Sequence, residues 1–126
     1  RNFSTTSLDI MATYVPFITI DDADDLVVSF GLGEHSSTSL TLLRTPKYES
    51  LIPEEERGVS VRTEASTFAE PEMLCSVRWS GSEVELETTV RRYVLDVGSV
   101  NKAEMKEARA VLGKMNFDRS FVVTDV

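Results

Sequence analysis

Apolar and polar residues alternate along several short stretches of the chain, which is the pattern of β-strands with one buried face. The four stretches in the N-terminal half are residues 14–20, 26–32, 38–43 and 58–61. Pro16 lies inside the first and has no amide hydrogen, so we expect that strand at a sheet edge or at a strand start. Residues 47–57 predict a longer loop, with a single helical turn after Pro53. Residues 66–72 predict a second loop.

A hairpin is the clearest local prediction. Residues 74–79 and 83–90 alternate on either side of Ser80-Gly81-Ser82, a sequence suited to a tight turn. With Gly81-Ser82 as the two loop residues, Trp79 lies opposite Val84, Val77 opposite Leu86, Cys75 opposite Thr88 and Arg78 opposite Glu85. With Ser80-Gly81 as the loop residues, the same residues share each face and Arg78 lies opposite Glu83 instead. One face is then apolar and the other charged, as a half-buried sheet requires. We expect Cys75 and Trp79 to lie in the core.

The alternation changes phase after Val90, because Tyr93, Leu95 and Val97 occupy odd positions where the preceding strand uses even ones. A β-bulge near Arg91 would restore the pattern by inserting one residue. A second turn followed by a further short strand would explain it equally well. Both alternatives stay open at this point.

An amphipathic helix is predicted near the C-terminus. Asn101 and Glu104 have the spacing of a capping box. The apolar positions that follow share one helical stripe, and most of the charged ones lie on the other side. The stripe consists of Met105, Ala108, Val111, Leu112 and Met115. Residues 121–123 predict either a last short strand or a docked tail.

These elements predict one α+β domain over residues 1–126. We expect a mostly antiparallel sheet of about six to seven strands, arranged as a meander, with the C-terminal helix packed on it. A chain of 126 residues has the usual length of a single domain and can bury a sufficient core without a disulfide or a metal.

The chain is acidic, with 13 Lys and Arg against 21 Asp and Glu and a formal charge of −8. Such a surface disfavours binding to nucleic acid or to an anionic membrane. It suits a basic protein partner, although the charge can equally serve solubility. The single cysteine precludes an intrachain disulfide, and no run of apolar residues is long enough to span a bilayer. Because residues 1–7 contain no apolar run, we expect no signal peptide and a cytoplasmic location.

No residue pattern predicts catalysis, a cofactor or a bound metal. His35 is the only histidine and Cys75 the only cysteine, whereas a zinc site needs three or four ligands. His35 is expected to be an ordinary turn residue, and Cys75 an inert buried thiol. The glycines at 31 and 33 lack the spacing of a phosphate-binding loop. The aspartates of residues 21–25 lack the order of a calcium-binding EF-hand loop, so we expect an exposed turn there.

Acidic loops are the candidate interaction surfaces, because binding residues are concentrated on loops. The candidates are Glu54, Glu55, Glu56, Asp21, Asp22, Asp24 and Asp25. Residues 70–72, Glu-Pro-Glu, form a similar acidic stretch. An enzyme that uses carboxylates alone stays an alternative, and it would require two acids in one cleft.

The order of elements from Leu40 onward is similar to that of a known family. Leu40-Thr41-Leu42-Leu43-Arg44 leads through an acidic loop to Glu56-Arg57-Gly58-Val59-Ser60-Val61, followed by the hairpin, another strand and a helix over residues 104–115. Over roughly residues 40–117 this layout resembles the bacterial immunity proteins, most nearly immunity protein family 10. The resemblance does not extend to the N-terminal third.

The resemblance implies an acidic cytoplasmic protein that neutralises a bacterial toxin by binding it. It identifies no individual binding residue. A general adaptor or oligomerisation module, in which the chain pairs with itself or with another protein, is the second hypothesis.

Overall fold

Nine strands and one α-helix make up the part of the chain that the computed structural model describes, namely residues 12–34, 38–64, 66 and 71–125. The strands are β1 (Thr13–Tyr14), β2 (Ile18–Asp22), β3 (Leu26–Leu32), β4 (Thr38–Arg44), β5 (Ser60–Arg62), β6 (Leu74–Ser80), β7 (Glu83–Thr88), β8 (Arg92–Asp96) and β9 (Val122–Asp125), and helix α1 (Lys102–Met115) lies between β8 and β9. His35, Glu70 and residues 1–7 lie outside the described residues.

The strands form two sheets. The first has the order β2-β3-β4-β5 and is antiparallel throughout. The second has the order β1-β8-β7-β6-β9, with parallel pairing of β1 to β8 and of β6 to β9. The predicted α+β class is confirmed. The strands divide between two sheets instead of following one meander, and the two parallel pairings join segments that are distant in sequence.

Pro16 separates β1 from β2, where the sequence pattern predicts one continuous strand. The amide of Val15 still donates to the main-chain oxygen of Asp96 (2.9 Å), and Pro16 has no hydrogen to continue the ladder. The chain therefore leaves the second sheet and joins the first. Both strands lie at sheet edges, which is where a proline was expected.

Of the two predicted registers, the β6–β7 hairpin has the one with Gly81-Ser82 as the loop residues over its outer part, with Trp79 opposite Val84 and Val77 opposite Leu86. A bulge between Leu74 and Ser76 breaks the ladder lower down, so that Leu74, not Cys75, lies opposite Thr88. The extra residue turns the Cys75 side chain outward, and the thiol is exposed. The prediction of a buried Cys75 was wrong for this reason, whereas Trp79 is only 5% exposed.

A second turn, not a bulge, follows β7. The Thr88 amide donates to the main-chain oxygen of Arg91 (2.9 Å), and the Thr88 hydroxyl accepts hydrogen bonds from the amides of Val90 and Arg91. The chain then returns as β8, antiparallel to β7. Of the two alternatives that the change of phase allowed, the structure has the second.

Helix α1 packs mainly on β2 and β3 and buries the predicted apolar stripe from Ala108 to Met115. The Asn101 side chain accepts a hydrogen bond from the Ala103 amide (2.7 Å), as an N-cap should. Glu104 does not complete the capping box, because its carboxylate accepts from the Ile18 amide of β2 (3.1 Å). The same acid therefore fastens the helix to the first sheet.

The buried apolar side chains of both sheets and of α1 form one core cluster, with Val15, Val28, Phe30, Leu86 and Met115 among its members. No helix in the described residues is long and apolar enough to cross a membrane.

Candidate functional site

The connection between β4 and β5, residues 45–59, is called the β4–β5 loop here. It contains two short 3-10 helices, Pro46–Leu51 and Glu54–Glu56. The second is the predicted single turn after Pro53. The first was not predicted, although Pro46 at its start is a favourable position for proline. A connection of this length in a small domain is often functional.

The side chain of Arg44, at the end of β4, is 1% exposed and organises this loop. Its Nε and Nη2 donate to the two oxygens of Glu49 (2.6 and 2.9 Å), in the first 3-10 helix. Its Nη1 and Nη2 donate to the two oxygens of Asp118 (both 2.8 Å), and Nη1 also donates to the main-chain oxygen of Met115 (2.7 Å). We call Arg44, Glu49 and Asp118 the arginine hub. It connects β4, the loop and the C-terminal end of α1.

The charges of the hub stabilise one another. Burial opposes the charged form of Arg44, but the hydrogen bonds from its guanidinium to Asp118 and Glu49 outweigh that effect, so its pKa is raised. The hydrogen bond from Arg44 lowers the pKa of Asp118 from its ordinary 3.8 to about 2. The guanidinium is thus charged and has its donors occupied, which leaves it little capacity to bind an external anion.

The β4–β5 loop presents large apolar side chains to the solvent. Tyr48 is 53% exposed, Leu51 78% and Ile52 39%. Phe117 is 59% exposed and stacks on the guanidinium of Arg44, with 4.2 Å from the Arg44 Cζ to the ring centroid. Exposed apolar side chains beside a rigid hub are typical of protein-binding surfaces.

The predicted glutamates follow directly on this apolar segment. Glu54, Glu55 and Glu56 are all exposed, and none is joined to a described residue by an ion pair or a side-chain hydrogen bond. Their carboxylates therefore stay available to a partner.

The predicted aspartates are exposed as expected, but most of them interact within the chain. Asp24 pairs with Lys47 (3.5 Å), and Asp25 accepts a hydrogen bond from the Thr45 hydroxyl (2.8 Å). Asp22 pairs with Lys114 of α1. The structure thus brings the aspartate turn against the start of the β4–β5 loop, whose end carries the three glutamates. The turn itself is shorter than predicted, because Asp21 and Asp22 are the last residues of β2 and only residues 23–25 lie between the strands. Asp21 has no ion pair to the described residues.

A groove of about 260 Å³ lies between the loop and β5. Tyr48, Ile52 and Gly58 of the loop line it, together with Pro71 and Met73 of the segment before β6. Gly58 has a positive φ of 130°, and a Cβ atom there would come within 3.3 Å of the Met73 Cε. A side chain at this position would therefore strain the backbone and crowd the groove.

The groove contains two carboxylates, which is the arrangement that a carboxylate-only enzyme would require. They belong to Glu49 and Glu56. Both oxygens of Glu49 accept hydrogen bonds from Arg44, so that acid serves the hub. Glu56 faces the groove without such a partner among the described residues.

Sequence reasoning missed a buried acid. Glu72 was grouped with the exposed acidic loops, but it is 7% exposed and its Oε2 lies 2.5 Å from the Thr88 hydroxyl and 2.9 Å from the Tyr93 hydroxyl. Burial and the hydrogen bond to Glu72 raise the pKa of Tyr93 to about 12. Glu72 has the same parity as buried Leu74, which is the signal that could have revealed it. It fastens the segment before β6 to the β7–β8 turn.

Within residues 12–34, 38–64, 66 and 71–125, no group of three or more His, Cys, Asp or Glu side chains is placed to hold a metal ion. Cys75, the only thiol, lies on the bulge of β6 and does not line the groove, although its Sγ is 3.8 Å from the main-chain oxygen of Met73, which does.

The chain was compared with protein-family models, curated proteins and solved structures, and none of them matches it.

Proposed function

We propose that this chain acts by binding a basic protein through the β4–β5 loop, and not by catalysis. The observation that carries the proposal is the combination on one loop of exposed Tyr48 and Leu51 with the three unpaired glutamates from Glu54 to Glu56. Apolar anchors supply affinity when they are buried by a partner, and flanking acids speed the approach of a basic one. The net charge of −8 acts in the same direction.

The arginine hub supports this role because it holds the loop in one conformation before binding. A pre-ordered loop loses less conformational entropy on association than a mobile one. Arg44 fixes the loop through Glu49, and Met115 and Asp118 fix Arg44 in turn.

The finer form of the proposal is that the partner is a bacterial toxin and that the chain is an immunity protein. The resemblance over roughly residues 40–117 motivates it. The acidic loop would cover a basic surface of the toxin and would compete there with the toxin's substrate.

A survival assay tests the finer form. The C-terminal ~150 residues, about one domain, of the protein encoded directly upstream are expressed with and without this chain, and colonies are counted. If the chain is an immunity protein, we expect the upstream protein to kill the cells that express it and this chain to restore their growth. A harmless neighbour, or killing that this chain does not relieve, would contradict the role in immunity.

The role of the loop glutamates is tested by measuring the rate at which this chain associates with the upstream protein from the survival assay. Replacing Glu54, Glu55 and Glu56 by Gln is expected to slow association about tenfold at low salt and to flatten its salt dependence, because local steering is lost. The matched control replaces Glu83, Glu87 and Glu107 by Gln, which removes the same charge from other exposed positions. Equal rates for the two triple variants would remove the loop from the binding surface.

Self-association is the second candidate function, and the edge strand β9 favours it. Val122 and Val123 are 65% and 48% exposed at the edge of the second sheet, a position where strands can pair with a second copy. Light scattering over a range of concentrations is expected to show a mass that rises towards a dimer, and Val122→Lys should restore the monomer. A constant mass of 14.0 kDa would remove this candidate.

A further inference from the structure

The groove beside the β4–β5 loop has the dimensions and the lining of a pocket for one long side chain. Tyr48 and Ile52 on the loop, together with Pro71 and Met73, provide apolar surface along it. The hub at its inner side is held by hydrogen bonds of 2.6 to 2.9 Å between Arg44, Glu49 and Asp118. The groove therefore lies against a support that is held together by several hydrogen bonds.

The charges that line the groove are unequal in availability. Arg44 and Glu49 neutralise each other, and Arg62 already interacts within the chain. Asp118 also pairs with Arg44, but it does not line the groove. Glu56 is the groove-lining acid that lacks an ion pair to the described residues.

We propose that this groove receives an arginine side chain of the protein partner, with the guanidinium paired to Glu56 and its methylene stem against Tyr48 and Ile52. The inference rests on the proposed protein-binding function and names the group that the loop recognises. Arginine fits better than lysine, because its planar fork binds a carboxylate through two hydrogen bonds and stacks on an aromatic ring.

The test uses the full chain labelled with ¹⁵N and a set of blocked tripeptides. The probe is acetyl-Gly-Arg-Gly-amide, compared with the same peptide carrying citrulline, which keeps the shape and removes the charge, or lysine. The arginine peptide is expected to shift the amide resonances of Gly58 and Ser60 in a saturable manner. The lysine peptide should bind more weakly, and the citrulline peptide should not shift these resonances.

Glu56→Gln is expected to weaken binding of the arginine peptide about tenfold, since a charge-assisted pair is replaced by a neutral contact. Glu107→Gln is the matched control, because it removes the same charge from an exposed position outside the loop, and it should bind as the unmodified chain does. Both positions are exposed, and the fluorescence of buried Trp79 checks that the variants fold.

The outcomes separate this inference from the function on which it rests. Equal shifts with the arginine and citrulline peptides, no saturable shift, or unchanged binding by Glu56→Gln would overturn the arginine pocket. Loss of partner binding in the triple glutamine variant would then still support the binding role of the loop. Peptide binding in the groove without rescue in the survival assay would retain the pocket and remove the toxin as its partner.

Discussion

Replacing Arg44 by methionine is expected to lower the free energy of unfolding by about 3 kcal/mol, the lower end of the range for breaking a buried ion pair. Methionine fills similar space but leaves Glu49, whose side chain is 13% exposed, and the Met115 carbonyl without their donor. The effect stays at the lower end because the Asp118 side chain is 44% exposed and can bind water. Urea unfolding followed by the fluorescence of Trp79 measures it.

Arg78→Met is the matched control, because Arg78 is exposed on the outer face of β6 and the same replacement there should change stability by less than about 0.5 kcal/mol. A loss for Arg44→Met as small as that of the control would contradict the structural role of the hub.

The hub also predicts how the stability difference between the unmodified chain and Arg44→Met depends on pH. The pKa of Asp118 is lowered when the chain is folded, so its stabilising contribution is present above its ordinary value of 3.8 and is lost as the pH falls through about 2. Removal of Arg44 removes this contribution. The stability difference between the unmodified chain and Arg44→Met should therefore shrink as the pH falls over that interval.

Phe30→Ala is expected to lower the free energy of unfolding by about 4 kcal/mol, as in other buried phenylalanine truncations. Phe30 is fully buried at the centre of β3, opposite Ile18 on one side and Leu40 on the other. The truncation would leave a cavity between two strands and the helix that covers them. The same urea titration provides the measurement.

Phe117→Ala is the control for that truncation, because the same side chain is removed from a position that is 59% exposed. It should cost about 1 kcal/mol or less, most of it from lost stacking on Arg44. Similar losses for the two alanine variants would contradict the assignment of Phe30 to the core.

The hub joins stability to the proposed function. The Arg44 side chain is almost completely buried, yet it determines the position of Glu49 and of the first 3-10 helix. Through that helix it also positions Tyr48 and Ile52. A variant such as Arg44→Met should therefore weaken partner binding even though the residue does not reach the partner. The apolar loop residues and Glu56 would contact it directly.

Part of the candidate site could be predicted from local sequence. Pro53 followed by three glutamates indicates an exposed acidic turn, since proline and acids favour the first turn of a helix and like charges avoid burial. The groove could not be predicted in this way. Its walls come from the β4–β5 loop and from Pro71 and Met73, which pairing of Met73 with Ser60 brings together.

The sequence by itself determined the elements whose signals are local. Alternation assigned Val28, Phe30 and Leu42 to buried faces, and the Ser80-Gly81-Ser82 turn with its flanking strands predicted the hairpin and its apolar face, with two possible registers. Helical periodicity assigned α1 in the same way. Each of these patterns depends on residues a few positions apart, which share a face whatever the rest of the chain does.

Only the tertiary structure decided which segments meet. From sequence alone, Arg44 is expected to be the polar end of a strand. It is buried because its guanidinium donates hydrogen bonds to carboxylates, one of which lies 74 residues away in sequence. Glu72 is expected from sequence to be an exposed loop acid, but in the structure it accepts hydrogen bonds from the hydroxyls of Thr88 and Tyr93. Cys75 leaves the core because a bulge inserts one residue. A charged side chain can be buried only when other groups form ion pairs or hydrogen bonds with it. Here those groups are distant in sequence, so a local pattern does not identify them.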